Sequence, residues 1–138
     1  MPAYDGQVNL HDGTTITASI TPTSTTRSSG SAVIDIKETP ARGMVAVLNM
    51  PVDLAEASDT IAIDIQHSAA EASGYVTIAS FTTHTTADTV PDVQFRTFQT
   101  DLRYVRALIT VSDDDSGGDF TVASLFIDIH PEGFQFQN

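Results

Sequence analysis

An acidic segment at residues 113–119 carries the residue types best suited to metal chemistry. It reads Asp-Asp-Asp-Ser-Gly-Gly-Asp, and carboxylate oxygens followed by a glycine at the sixth position are features of calcium-binding EF-hand loops. The match fails at the fifth position, which is Gly117, and at the twelfth, where Ser124 replaces the bidentate glutamate. The segment therefore favours a solvated turn between strands, and calcium binding is the alternative.

The histidines are the other candidate metal ligands. They are His11, His67, His84 and His130. None has metal-ligand spacing to a second histidine or a carboxylate on a recognisable element, so we expect exposed histidines and no metal. The sequence also contains no Gly-x-Ser-x-Gly, no phosphate-binding glycine loop and no His-Glu-x-x-His. These observations predict a protein without a cofactor that is not an enzyme, although a glycosidase-type carboxylate pair stays open.

Two arginines in this acidic chain are candidates for partner contact. Arg103 and Arg106 flank Tyr104 and Val105. One interpretation is an ion pair with an acid on a neighbouring strand, such as Asp128. The other is a contact between these arginines and an acidic surface of a partner protein.

The element that must position these arginines is a strand at residues 101–111. Its apolar side chains alternate with polar ones, and the same alternation returns at residues 120–129; a period of two is typical of strands with one buried face. Residues 112–119, rich in Asp, Ser and Gly, favour a turn. We therefore expect a β-hairpin at the centre of a β-sandwich. Its predicted inward side chains are Val105, Ala107, Ile109, Val111, Ala123, Leu125, Ile127 and Ile129.

The rest of the chain also reads as strands separated by turn signals. Abundant Ser and Thr with few Lys and Glu argue against helices. The run at 43–50 is almost wholly apolar, which predicts a strand covered on both faces. About eight antiparallel strands in two sheets predict an all-β, jelly-roll-like sandwich. The predicted strands are 14–20, 31–36, 43–50, 60–66, 75–81, 93–99, 101–111 and 120–129.

Composition excludes several classes of partner. The 138 residues suit a single domain, 1–138, and the net charge is −12 with only six basic residues. Nucleic-acid binding needs clustered positive charge, so we exclude it, and an acidic membrane surface would repel this chain. There is no apolar run long enough to span a bilayer, no signal-like start and no cysteine.

The two ends of the chain lie outside the predicted sandwich. The sequence pattern predicts an extended N-terminal arm at residues 1–12. It also predicts a C-terminal tail at residues 130–138, beyond the last strand. The N-terminal arm is either a frayed terminus or packs on a neighbouring subunit. The C-terminal tail packs either on its own domain or in a groove of a neighbour. The apolar side chains that would make such partner contacts are Tyr4, Val8, Leu10, Phe134 and Phe136.

The two strands around the acidic turn also carry a family resemblance. Residues 101–111 read Asp-Leu-Arg-Tyr-Val-Arg-Ala-Leu-Ile-Thr-Val, and residues 120–128 read Phe-Thr-Val-Ala-Ser-Leu-Phe-Ile-Asp. This resembles the C-terminal half of the cement (decoration) proteins of tailed-bacteriophage capsids, in which an Arg-Tyr-hydrophobic-Arg strand precedes a Gly-bearing turn. A Thr/Ala-rich first strand and the segment 61–68 extend the similarity over residues 4–129. The tail beyond His130 matches no such pattern.

The resemblance implies a non-enzymatic virion protein of the jelly-roll type. Such a protein is assembled in the host cytoplasm, lies on the capsid exterior and stabilises contacts between capsomers. It implies the major capsid protein as partner and a homo-oligomer, either dimer or trimer. The alternative from the residues themselves is a carbohydrate-binding or phage fibre β-sandwich module, in which tyrosines such as Tyr75 or Tyr104 contact the sugar.

Overall fold

A computed structural model describes residues 9–12, 16, 33–36, 43–54, 56–112 and 126–131 of the chain. This part consists of strands and their connections and contains no helix that could cross a membrane. The strands are β1 (Asn9–Asp12), β2 (Ile34–Asp35), β3 (Met44–Met50), β4 (Thr60–Ser68), β5 (Val76–Ser80), β6 (His84–Thr85), β7 (Asp92–Phe98), β8 (Tyr104–Ser112) and β9 (Phe126–Pro131).

The strands form two antiparallel sheets. Sheet I has the order β1-β9-β3-β7, and sheet II has the order β2-β8-β4-β5, with β6 also paired to β4. Consecutive strands mostly lie in different sheets. The exceptions among the described strands are β4, β5 and β6, which all belong to sheet II. The expected all-β antiparallel sandwich is confirmed.

The core lies between the sheets and is built from the alternating side chains that the sequence marks. In sheet II, Ile63 lies opposite Ile109 and Ile65 opposite Ala107, and all four are buried. Each fully buried aliphatic side chain of this kind contributes roughly 1.5–3 kcal/mol. The inward direction predicted from alternation is confirmed for Val105, Ala107, Ile109, Ile127 and Ile129. The alternating Ile61, Ile63 and Ile65 of the predicted strand at 60–66 are buried as well.

The predicted pairing of the central hairpin is wrong for residues 126–129, the part of its second strand that the structure describes. β8 pairs with β2 and β4 in sheet II, whereas β9 pairs with β1 and β3 in sheet I. Each strand has one apolar face, and two such strands can bury those faces against each other from opposite sheets as readily as side by side. The predicted turn at 113–119 lies outside the described residues.

Two smaller expectations also differ from the structure. The run at 43–50 is not covered on both faces: its inward side chains are buried, but Val45 and Val47 are half-buried and Asn49 is exposed. The predicted N-terminal arm contains β1, and Leu10 is completely buried in this chain's own core. From the predicted strand at 14–20, the structure describes only Ile16, which is buried.

Candidate functional site

The outer side of sheet I carries an apolar surface. β3 places Val47 opposite Phe95 of β7, and residues directly opposite in an antiparallel pair share a face. Val93 and Phe95 are 47% and 51% exposed, two of the four large hydrophobic side chains that are exposed in the described part of the chain. We call this surface the apolar face. It consists of Val45, Val47, Val93, Phe95 and Phe126.

Two titratable groups on this side of sheet I favour their uncharged forms. Asp128 lies opposite Val47, and His130 lies opposite Val45. Burial raises the pKa of the Asp128 carboxyl, although the charge of His130 opposes this. Burial lowers the pKa of the buried His130 imidazole, against the charge of Asp128. Burial therefore disfavours the charged form of both groups that β9 places beside the apolar face.

The outer side of sheet II carries an arginine–tyrosine cluster, which we define as Tyr75, Tyr104, Arg103 and Arg106. The Arg106 guanidinium lies 3.8 Å from the centre of the Tyr75 ring, and its Nε donates to Gln66 Oε1 at 2.9 Å. Such stacking is favourable because the negative face of an aromatic ring attracts the planar, positively charged guanidinium. Burial raises the pKa of Tyr75, against the charge of Arg106.

Arg103 pairs with a different acid from the one suggested by the sequence. Its Nε and Nη2 each donate to Asp35 at 2.7 Å, and its guanidinium carbon lies 5.3 Å from the centre of the Tyr104 ring. The bidentate contact raises the pKa of Arg103 further above its ordinary value. The expected ion pair with an acid on a neighbouring strand is therefore confirmed for Arg103, because Asp35 belongs to β2, which pairs with β8. Only the suggested acid is wrong, since Asp128 lies in sheet I.

A shallow cleft of about 320 Å³ lies where the loop after β5 meets β7. Gln94 makes two hydrogen bonds with the Thr82 backbone, accepting from its N–H at 2.8 Å and donating to its carbonyl at 3.1 Å. Arg96 donates to the Ser80 carbonyl at 3.0 Å and to the Thr82 hydroxyl at 2.8 Å. These hydrogen bonds hold β7 to the loop, and they engage the polar groups of the Gln94 and Arg96 side chains.

Next to the cleft, a buried histidine lies between two carboxylates. His84 is 1% exposed; its Nδ1 is 2.9 Å from Asp92 Oδ2, and its Nε2 is 3.0 Å from Asp53 Oδ1. Asp53 belongs to the connection between β3 and β4, and Asp92 begins β7. The expectation of exposed histidines is wrong for His84 and also for His130, which is 3% exposed.

Sequence spacing gives no signal for this histidine cluster, because its members are 31 and 8 residues apart. No group of three or more His, Asp or Glu side chains that could hold a metal ion occurs among the described residues. Among the predicted contact residues, the structure keeps Arg103 and Arg106 at the surface of sheet II and places Leu10 in the core. Tyr4, Val8, Phe134 and Phe136 lie outside the described residues.

No protein-family model matches this chain, and no curated protein matches its sequence.

Proposed function

We propose that this chain is a non-enzymatic virion structural protein. It is a cement, or decoration, protein that binds the outer face of a tailed-phage capsid and stabilises contacts between capsomers of the major capsid protein. It acts as a homo-oligomer, a dimer or a trimer, and it joins the capsid exterior in the host cytoplasm. The observation that carries the proposal is the apolar face on the outside of sheet I.

The apolar face has the composition of a contact surface. The outer side of an antiparallel sheet is normally polar because it meets water, whereas here two adjacent strands present Val47, Val93 and Phe95. Contiguous exposed apolar surface marks protein–protein contact, and aromatic residues dominate the energetics of such contacts. Burial of the exposed half of Phe95, about 100 Å² of its surface, contributes roughly 2–3 kcal/mol.

The strand order supports the jelly-roll form of this proposal. A jelly roll has eight principal strands in two sheets, with successive strands crossing between the sheets. The order β1-β9-β3-β7 in one sheet and β2-β8-β4-β5 in the other fits that pattern. Jelly rolls occur in viral capsid proteins and also in lectins, so the fold alone does not choose between these functions.

A lattice of identical sites compensates for a modest contact per copy. Many copies bound to one shell, each also held by its own oligomer, gain apparent affinity through effective concentration. A stable contact still buries on the order of 1,200 Å² or more. We therefore expect the apolar face to form the centre of a larger contact, with a polar rim around it.

The test is binding of the purified chain to capsids of the source phage that lack it. We expect saturation at a fixed ratio to the major capsid protein, and we expect Phe95→Ser to weaken binding roughly 30–100-fold, the equivalent of 2–3 kcal/mol. Val76→Ser is the matched control, because Val76 is 59% exposed but lies on β5 of sheet II. Unchanged binding of Phe95→Ser, or no binding of the unmodified chain, would contradict the proposal.

The arginine–tyrosine cluster favours a second candidate, a carbohydrate-binding or phage fibre module. Sugars stack on flat side chains, and the stacked Arg106 and Tyr75 together with Tyr104 provide such surfaces. This candidate predicts saturable glycan binding by the isolated chain that is lost in Tyr75→Ala or Tyr104→Ala. A glycan array without a signal, combined with stoichiometric capsid binding, would decide for the cement function.

A further inference from the structure

We infer that Asp53, His84 and Asp92 form a pH-dependent clasp. In this clasp, a protonated His84 holds the connection between β3 and β4 against the beginning of β7, and it releases Asp53 when it loses its proton. The inference concerns the chain itself and does not depend on the proposed capsid function.

The positions of the two carboxylates require both ring nitrogens of His84 to donate. A carboxylate only accepts hydrogen bonds, and Asp92 and Asp53 lie 2.9 and 3.0 Å from Nδ1 and Nε2. Neutral imidazole has one N–H and one lone pair, so one of the two contacts would set a lone pair against a carboxylate oxygen. The arrangement therefore fits the imidazolium form, in which both contacts are charge-assisted hydrogen bonds.

The groups around the clasp mostly favour the same form. β4 presents the apolar Ile61 opposite His84, the connection after β3 contributes Asp53, and β7 contributes Asp92. Asp88 lies in the turn after β6, and its pKa is lowered. The hydrogen bonds from Thr85 are the main cause, and the charge of His84 also contributes. Arg96 of β7 lines the neighbouring cleft together with Asp88 and Asp92 and is the cation among the residues that line it.

The pKa of His84 sets the pH range in which the clasp holds. Burial lowers this pKa, but the hydrogen bonds and charges of Asp92 and Asp53 outweigh burial, and the pKa lies above its ordinary value of 6.5. A histidine whose pKa is higher in the folded state stabilises the fold fully below the unfolded value. That contribution is lost as the pH rises through the folded value, so the clasp opens on the alkaline side.

Asp53, and not Asp92, is the partner that leaves. The Asp92 side chain is 17% exposed, and its Oδ2 also accepts from Gln94 Nε2 at 3.0 Å. Its backbone is fixed by pairing with Met50. The Asp53 side chain is 35% exposed and can rotate into water. Because Asp53 Oδ1 also accepts from the Leu54 N–H at 2.8 Å, its departure removes the protection of that amide.

Nuclear magnetic resonance on the full chain can test each step. We expect the His84 ring nitrogens to titrate above pH 6.5, and we expect the exchange protection factor of the Leu54 amide to fall at least tenfold over the same pH range. A titration below 6.5, or Leu54 protection that does not change with pH, would overturn the inference.

Asp53→Asn distinguishes the clasp from general alkaline loosening. An asparagine at this position keeps an oxygen that can accept from Leu54, but it carries no charge, and the charge of Asp53 contributes to the raised pKa of His84. We expect this variant to fold, and we expect the His84 titration and the fall in Leu54 protection to move together to lower pH. Asp64→Asn is the matched control, because Asp64 accepts from Ser80 on the outside of sheet II, and it should leave both unchanged. A fall in Leu54 protection at the same pH in Asp53→Asn as in the unmodified chain would refute the clasp.

Discussion

Arg96 connects the edge strands of the two sheets, so its replacement tests what closes this side of the sandwich. β7 ends sheet I and β5 ends sheet II. The Arg96 side chain bridges them by donating to the Ser80 carbonyl at 3.0 Å and to the Thr82 hydroxyl, just beyond β5, at 2.8 Å. Methionine keeps most of the apolar stem and removes every donor, so Arg96→Met isolates the hydrogen bonds from the packing.

The expected loss of stability follows from the two hydrogen bonds that Arg96 makes to Ser80 and Thr82. A hydrogen bond from a charged donor contributes about 1.5–3 kcal/mol, which gives an upper sum of about 3–6 kcal/mol. Both acceptors belong to exposed residues, so water replaces the lost donor and no buried group stays unsatisfied. We therefore expect Arg96→Met to lower the free energy of unfolding by about 1.5–2.5 kcal/mol, and Tm by about 5–10 °C.

Urea unfolding followed by far-ultraviolet circular dichroism measures this change. Arg103→Met is the matched control: Arg103 also makes two hydrogen bonds, both to Asp35, but its side chain is 53% exposed. Exposed ion pairs contribute little to stability, so the control should unfold close to the unmodified chain. Equal destabilisation by both substitutions, or an Arg96→Met midpoint indistinguishable from the unmodified chain, would refute the bridging role.

Two further predictions concern a backbone position and a second buried histidine. Gly74 has a φ of +76°, where an added Cβ would also lie 3.4 Å from Ser68 Oγ; Gly74→Ala should cost about 1–2 kcal/mol in urea unfolding, and Gly74→Asn, which tolerates this φ, should cost less. His130 has a pKa below its ordinary 6.5, because burial outweighs the charge of Asp128, so its contribution destabilises the fold as the pH falls below 6.5. His130→Leu should flatten the acid side of a stability–pH profile, and a profile that keeps its slope would contradict that assignment.

Alternation in the sequence predicted the core well, because the period of two is a property of each strand by itself. Ile61, Ile63 and Ile65 alternate with more polar residues and all point inward. The same reasoning identified β8 and the inward side chains of β9. These predictions need no knowledge of which strands are neighbours.

Strand pairing was less accessible, because alternation does not say which sheet a strand joins. The acidic segment between β8 and β9 suggested a hairpin. The two strands instead belong to opposite sheets, and each buries its apolar face in the core between them. The apolar face was equally hidden: Val93 and Phe95 alternate with Gln94 and Arg96, which is the pattern of an inward apolar face. The sequence signal that opposes this reading is Phe98, a buried apolar residue on the side of Gln94 and Arg96.

The histidine clasp shows a further limit of local patterns. His84 was expected at the surface, because it falls in the predicted loop after the strand at 75–81 and loops usually lie at the surface. It is buried because two carboxylates from distant parts of the chain satisfy both of its nitrogens. Burial of a polar side chain depends on such partners, and they are brought together only when β3 and β7 pair along their length.

The distribution of charge on this sandwich determines which of its surfaces can enter a contact. With 18 acidic residues and a net charge of −12, most approaches between two copies, or to another acidic surface, bring carboxylates together. On the outside of sheet I, the Asp128 carboxyl lies beside Val47. Burial already raises the pKa of that carboxyl, so covering this part of the apolar face removes less hydration of charge than covering a fully exposed carboxylate. Repulsion between carboxylates therefore favours docking through the apolar face over docking through a carboxylate-rich surface.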